Sequence, residues 1–360
     1  MKKLISVLLI SLIICSTFLF YSCVFDKVPT VYSDPEKYTA GNTEFEGKVD
    51  NLSIWWQYGT VTVKTHKENT VKITETANRE LDEKFTLHWR YFNASDYGMV
   101  LYVQFSASGN FDFGDLKKDL VIYLPENEDM DIAINSNAAS VDLDVSEFEN
   151  NLEELHVFTI SGKVSVKIDS ADEVWISGQN DEGVPEENRE FCFRANGTVS
   201  TLGISASYAK VDAYAKKIYN GEIMTVYADL LLEADEARDL KLYNSEGRIC
   251  ATVLNFRSLD VEANYQPCEL TLSPDASFVL SIKEKNRFNQ TMTPKNVTVE
   301  FENMTQSGSQ YTVGAGENNI SIATDWTVKL ESGSFEGDGY VHLVSSTPEV
   351  LTGGTHQYTV

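Results

Sequence analysis

From Asn51 onward the chain is dominated by short runs in which apolar and polar residues alternate. Val61, Val63 and Thr65 alternate with Thr62 and Lys64, and Val71-Lys72-Ile73-Thr74 repeats the pattern after Glu68-Asn69. Further runs cover residues 85–91, 99–105 and 120–124, the last closed by Pro125. A period of two with one apolar face is the pattern of a half-buried strand. Beyond Pro125 the spacing becomes regular. Val157, Val166 and Ile176 mark successive runs at an almost constant interval, and Leu240, Ile249, Leu259, Leu270 and Leu280 continue it. Turn signals fall between the runs at Ser161-Gly162, Asn220-Gly221, Glu246-Gly247 and Ser273-Pro274-Asp275. A strand of about five residues plus its turn uses about ten, which is the interval seen, so two such units make a coil of about twenty. Coils of that size stack into a β-solenoid with a continuous core. A β-sandwich also places strands at this spacing and is the competing architecture. Ser146-Glu147-Phe148-Glu149 has the form of a helix-capping box, but Asn150-Asn151 and the strand at Leu155 leave room only for a loop.

Composition narrows the class. Of the 360 residues, 42% are hydrophobic and 11% aromatic, enough for a large core and against global disorder. The 21 glycines and the abundance of Val, Ile, Thr, Tyr and Phe favour strands over a helical bundle. Asp and Glu number 54 against 29 Lys and Arg, a net charge of -25, which excludes a basic groove for nucleic acid. The excess is uneven: residues 126–190 hold 18 acids, with Lys163, Lys167 and Arg189 as the basic side chains.

The N-terminus carries an address. Lys2 and Lys3 precede an apolar run from Leu4 to Phe20, the charged and apolar regions of an export signal. Phe20-Tyr21-Ser22-Cys23 resembles the lipobox of bacterial lipoproteins, in which a small residue precedes the cysteine that becomes lipidated. Its bulkier Phe20 and Tyr21 depart from the usual pattern, so an uncleaved anchor helix and simple secretion stay as alternatives. The expected division is a signal peptide over 1–22, a tether over 23–48 starting at lipidated Cys23, N-terminal cap strands over 49–125, solenoid rungs over 126–345 and a tail over 346–360. The expected location is the bacterial cell envelope or surface, with the membrane engaged through the N-terminal lipid.

Several segments are similar to one known group, the bacterial adhesin-like β-solenoid domains, a family of undefined function. Asp119-Leu-Val-Ile-Tyr-Leu-Pro125 looks like its strand ending in Leu-Pro. Thr159-Ile160-Ser161-Gly162-Lys163-Val164 matches its Thr-x-Ser-Gly-Asp-Ile/Val link, with Lys163 in place of Asp, and residues 311–324 are similar to its terminal rungs. The resemblance spans about residues 52–330. It implies an all-β solenoid, preceded by antiparallel-looking strands that cap it, and carries no catalytic residue across.

Motifs for chemistry are absent. His66, His88, His156, His342 and His356 are scattered without metal-ligand spacing, and there is no nucleophile elbow, phosphate loop or dinucleotide fingerprint. No catalytic, cofactor or metal residue is assigned, and no cofactor is expected. After the signal and Cys23, Cys192, Cys250 and Cys268 remain, an odd set at wide spacing that reads as buried thiols. The candidate binding residues are Trp55, Trp56 and Tyr58, the densest aromatic cluster, and Asp142 and Asp144 on one strand face. Neighbours on a strand face opposite sides, so one tryptophan is core and the other is exposed and able to stack on a sugar. Asp142-Leu143-Asp144, like Asp112 and Asp115, offers hard oxygens to Ca²⁺, although solvated strand faces and turn caps explain both. The leading reading is a non-enzymatic, lipid-anchored binding protein with a glycan, host-matrix or cationic protein ligand. An envelope sensor or regulatory partner is the alternative, and a calcium-dependent polysaccharide lyase ranks below both.

Overall fold

The structure, a computed structural model, describes residues 30–126, 130–147, 152–180 and 189–333. The expected signal peptide, Cys23 and the tail 346–360 lie outside these residues. The described chain is all-β, with two short 3₁₀ turns at Pro35–Lys37 and Glu83–Phe85 and no α-helix among the described residues.

Parallel, in-register pairing organises the body. Val211 pairs with Leu230, Leu230 with Ile249 and Ile249 with Cys268, the same step along the chain each time. The parallel pairings form two ladders. The first runs through Val61, Val141, Val164, Phe191, Val211, Leu230, Ile249, Cys268 and Val328. The second runs through Ile54, Ile134, Val157, Ile176, Ile204, Ile223, Leu242, Val261 and Ile322. Every one of these side chains is buried, because a period of two puts alternate residues on the inner face and in-register stacking aligns them. At about 25 cal/mol per Å², each buried Val, Leu or Ile contributes about 1.5–3 kcal/mol, which makes these columns the main source of stability.

Strands run longer than the short units expected. Glu190–Ser207 spans 18 residues and belongs to both ladders, because the bend between them needs only a register shift between Ala195 and Thr198. Asp131–Val145 also enters both ladders. With Leu152–Thr159, Val164–Ile168 and Ala171–Gln179 between these two, parallel pairings close a five-stranded ring.

Both ends of the stack change character. Asn51–His66 pairs in parallel with Gly98–Gln104, Lys118–Pro125 and Asp131–Val145. Around it, Thr43–Glu46 and Thr70–Ala77, Thr70–Ala77 and Lys118–Pro125, and His88–Ala94 and Gly98–Gln104 are antiparallel pairs. At the other end Gln310–Val313 lies antiparallel between Phe278–Ile282 and Met304–Ser307. Antiparallel cover of this kind removes open edges that would template association. Residues 30–46, within the span read as a tether, contact the body: Thr30 bridges Gly109, and the Tyr32 hydroxyl donates to the Ser106 carbonyl.

The capping end encloses an ion pair. Lys118 Nζ lies 2.7 Å from Glu75 Oε2, and both side chains are inside the fold. The same ammonium donates to the carbonyls of Phe85 and Phe105 and sits over the rings of Trp56 and Phe105. Burial pushes Lys118 down to about 8, against the pull of Glu75 in the other direction.

Candidate functional site

The outer face of the second ladder carries aromatic and acidic side chains in register. One outward column runs Ser53, Ala133, His156, Trp175, Gly203, Glu222. Its neighbour runs Trp55, Asn135, Phe158, Ser177, Ser205, Met224 and Tyr243. Trp55 is 47% exposed and Trp175 41%. Strands about 4.8 Å apart put Trp55 and Phe158, two rungs from one another, at about 10 Å, with Trp175 one further rung along in the adjacent column.

Trp175 owes its posture to Gly203. A β-carbon on Gly203 would stand 2.0 Å from Trp175 Cε3, so the indole lies against the bare backbone of the next rung and leaves its other face to solvent. The Trp175 indole N–H donates to Glu173 Oε1, which ties the ring to a side chain of its own strand. Glu173 pairs with Glu154 on the neighbouring rung, and the Glu154 carboxylate lies 3.6 Å from His156 Nε2. The Glu154 backbone N–H donates to Asp131 Oδ1, and burial together with the nearby Glu154 charge raises the Asp131 carboxyl above its usual range. Three carboxylates therefore line this face beside an aromatic platform. None of the three has a Lys or Arg ion partner among the described residues. The arrangement can stack a sugar ring on the indole and accept hydrogen bonds from its hydroxyls.

The five candidate binding residues separate. Trp55 belongs to the exposed face just described. Trp56 is 1% exposed: its indole N–H donates to the Lys118 carbonyl at 3.0 Å, and its ring meets Phe105 edge-on at 5.0 Å. Tyr58 is half-buried edge-on to Phe105 and Phe113, and that burial raises its phenol. Asp142 and Asp144 lie on the first ladder instead. Asp144 receives the Ser146 hydroxyl at 2.7 Å and Lys167 Nζ at 3.3 Å; burial works to raise its carboxyl, but these bonds hold it below the usual range. On the same surface Lys163 reaches Glu190 at 2.8 Å and Arg194 reaches Asp212 at 2.7 Å. Asp144, Glu190 and Asp212 of the first ladder meet cations of neighbouring rungs, whereas Asp131, Glu154 and Glu173 of the second do not.

Elsewhere, Asp112 accepts from the Gly114 N–H and Asp115 pairs with Arg79, the geometry of turn caps. Among the described residues no group of three or more His, Cys, Asp or Glu is placed to hold a metal ion. Cys192, Cys250 and Cys268 are free thiols.

Trp175 is the site residue that the sequence reading passed over, although its signal was present. It stands between Val174 and Ile176, both buried, so alternation alone puts it outside.

Comparison with known proteins adds the following. No family model matches the chain, and no curated protein matches it. Similar solved structures include a candidate cell adhesion protein from Clostridium sporogenes, 9% identical with a TM-score of 0.23, covering 82% of this chain and 100% of that one. A candidate adhesin from Bacteroides fragilis is 8% identical with a TM-score of 0.27, over 82% of this chain and 98% of its own. A candidate adhesin from Parabacteroides merdae is 11% identical with a TM-score of 0.33, over 82% and 96%.

Proposed function

We propose that the protein is a non-enzymatic binding protein of the bacterial cell envelope, held to the membrane by lipid on Cys23, and that its ligand is a glycan. Its body is read as a β-solenoid on the strength of the constant parallel register from coil to coil. The observation that carries the binding reading is Trp175: one indole face rests on Gly203, the other is open, and carboxylates stand alongside. A tryptophan left on a sheet surface forgoes about 1.5–3 kcal/mol of burial, a cost that ligand stacking explains. With Cys23 as anchor, the short segment to Thr30 reaches at most about 25 Å, which keeps the body close to the bilayer.

A panel of immobilised envelope and host-surface glycans tests the reading. Binding that tolerates salt and falls about tenfold or more in Trp175→Ala supports it, because stacking on an aromatic ring is weakly screened. Asp131, Glu154 and Glu173, without Lys or Arg partners, favour a second reading, docking of a cationic protein by an envelope sensor; salt-sensitive binding to basic peptides supports that one. Turnover of an acidic polysaccharide refutes both.

A further inference from the structure

At the corner that returns the chain from the second ladder to the first, Tyr208, Tyr227, Glu246 and Tyr265 recur once per coil. All four hold positive φ, at 55°, 63°, 67° and 66°. Left-handed backbone costs a residue with a β-carbon about 1–2 kcal/mol, and glycine or asparagine adopts it more cheaply. Yet three of the four are tyrosines, with Tyr227 47% and Tyr265 57% exposed. The rings of Tyr208 and Tyr227 stack with centroids 4.5 Å and planes 17° apart, so side chains at this corner project in line, coil upon coil. Tyr208 covers one face of Tyr227, and the other face is turned along the stack toward Glu246 and Tyr265.

With coils about 4.8 Å apart, Tyr227 and Tyr265 bracket exposed Glu246 across about 10 Å, and a cation midway lies about 5 Å from each ring. That is inside the roughly 6 Å reach of cation–π attraction. The Glu246 carboxylate has no hydrogen-bond or ion-pair partner among the described residues. The cation two residues on, Arg248, is taken by Asp229 through Nε at 3.1 Å and Nη2 at 2.7 Å. One coil further, the same corner is a residue shorter and presents Trp326, and there Lys295 Nζ sits over the indole ring. The fold thus already places an ammonium on an aromatic face at this edge.

We propose that Tyr227, Glu246 and Tyr265 form a slot for an ammonium cation of the choline type. A flat guanidinium touches ring faces at about 3.5–4 Å and is too thin to meet both walls, whereas a trimethylammonium group fills the span. Each exposed ring supplies about 0.5–1 kcal/mol and the carboxylate adds about 1 kcal/mol, so the affinity is about 5–30 mM.

The test is ligand-observed NMR on the full chain in a maltoside detergent, titrated with choline, tetramethylammonium, guanidinium and the neutral tert-butyl isostere of choline. Choline and tetramethylammonium are expected to bind about tenfold or more tighter than guanidinium and the isostere. Glu246→Gln weakens choline about fivefold, Tyr265→Ala weakens it about two- to fivefold, and Tyr265→Phe, which keeps the ring, retains it. Trp175→Ala leaves choline binding unchanged, so failure here is distinct from failure of the glycan reading. The proposal is overturned by equal affinity for the isostere, by full binding in Tyr265→Ala, by loss of binding in Trp175→Ala, or by no choline signal up to about 50 mM.

Discussion

Replacing Lys118 with methionine gives the sharpest account of what holds the capping end together. In the native fold the ammonium is fully enclosed, 2.7 Å from Glu75, and satisfies the carbonyls of Phe85 and Phe105. Lys118→Met keeps the volume but leaves the Glu75 carboxylate buried with a single strong donor, the Leu87 N–H at 2.7 Å. Breaking a buried pair from one side costs about 3–5 kcal/mol. Adding Glu75→Leu removes the stranded charge, and the residual loss is the Leu87 N–H without an acceptor, about 1–3 kcal/mol. The double variant is therefore expected to be more stable than Lys118→Met alone. Urea unfolding, read by hydrogen exchange in Thr70–Ala77 and Lys118–Pro125, reports this end of the stack directly. The pH dependence has a definite sign. Burial holds Lys118 at about 8, below its unfolded value, so between pH 8 and about 10.5 the unfolded chain binds more protons and stability rises with pH. At about 1.36 kcal/mol per unit the full rise is about 3 kcal/mol, and it disappears in Lys118→Met. The reasoning is refuted if Lys118→Met costs under about 1 kcal/mol, or if the double variant is the less stable of the two.

Four further outcomes follow from close approach, backbone conformation, burial and the N-terminal motif. Gly59 has φ +106° and a β-carbon there would stand 2.1 Å from the Lys118 carbonyl oxygen, so Gly59→Ala should cost roughly 2–4 kcal/mol in thermal unfolding. Gly114→Ala, at φ +55° with open space around it, should cost about 1 kcal/mol. Burial raises all three thiols of the body, Cys250 to about 11, and Cys268 is enclosed. Peptide mapping after alkylation at pH 8 should show Cys192 and Cys250 reacting at least about tenfold slower than in urea, and Cys268 reacting only in urea. Cys23→Ser should move the protein from the membrane to the soluble fraction on cell fractionation; unchanged attachment would sink the lipid anchor.

Local alternation made much of this fold legible and explains what stayed hidden. The intervals between Leu240, Ile249 and Leu259 imply a repeat of about twenty residues, and the parallel pairing of Leu230 with Ile249 and Leu240 with Leu259 follows that step, because in-register strands return their inward side chains to the same column. Alternation also divides Trp55 from Trp56, and applied to Val174-Trp175-Ile176 it finds the exposed platform. Long-range pairing left no such trace. Val61 meets Val141, and Leu259 meets Ile320, across excursions several coils long that no local pattern announces. Lys118 follows Lys117 and reads as surface charge, since its burial depends on Glu75 arriving from another strand. Tyr208, Tyr227 and Tyr265 escape a reading based on strands, because they sit in the corners where the period of two is broken.

The charge distribution gives the acidic excess a structural meaning that a net charge of -25 does not. On the first ladder, in-register stacking brings Asp144 beside Lys167, and Arg194 reaches diagonally to Asp212, so these acids are neutralised along the stack and help specify register. On the second ladder the same stacking brings Glu154 beside Glu173, a like-charge pairing that weakens the sheet. A fold with an ion-pair solution on one face has left the other face unneutralised at the rungs where Trp175 lies open. The Tyr227–Glu246–Tyr265 corner repeats that combination of aromatic rings and unpaired carboxylate about three rungs further along the stack and about five residues along the strand, roughly 20 Å away. Stability alone explains neither place, because a cation beside Glu173 or a glycine at the left-handed corner would be the more stable choice. Binding at both positions supplies the reason for tolerating the cost.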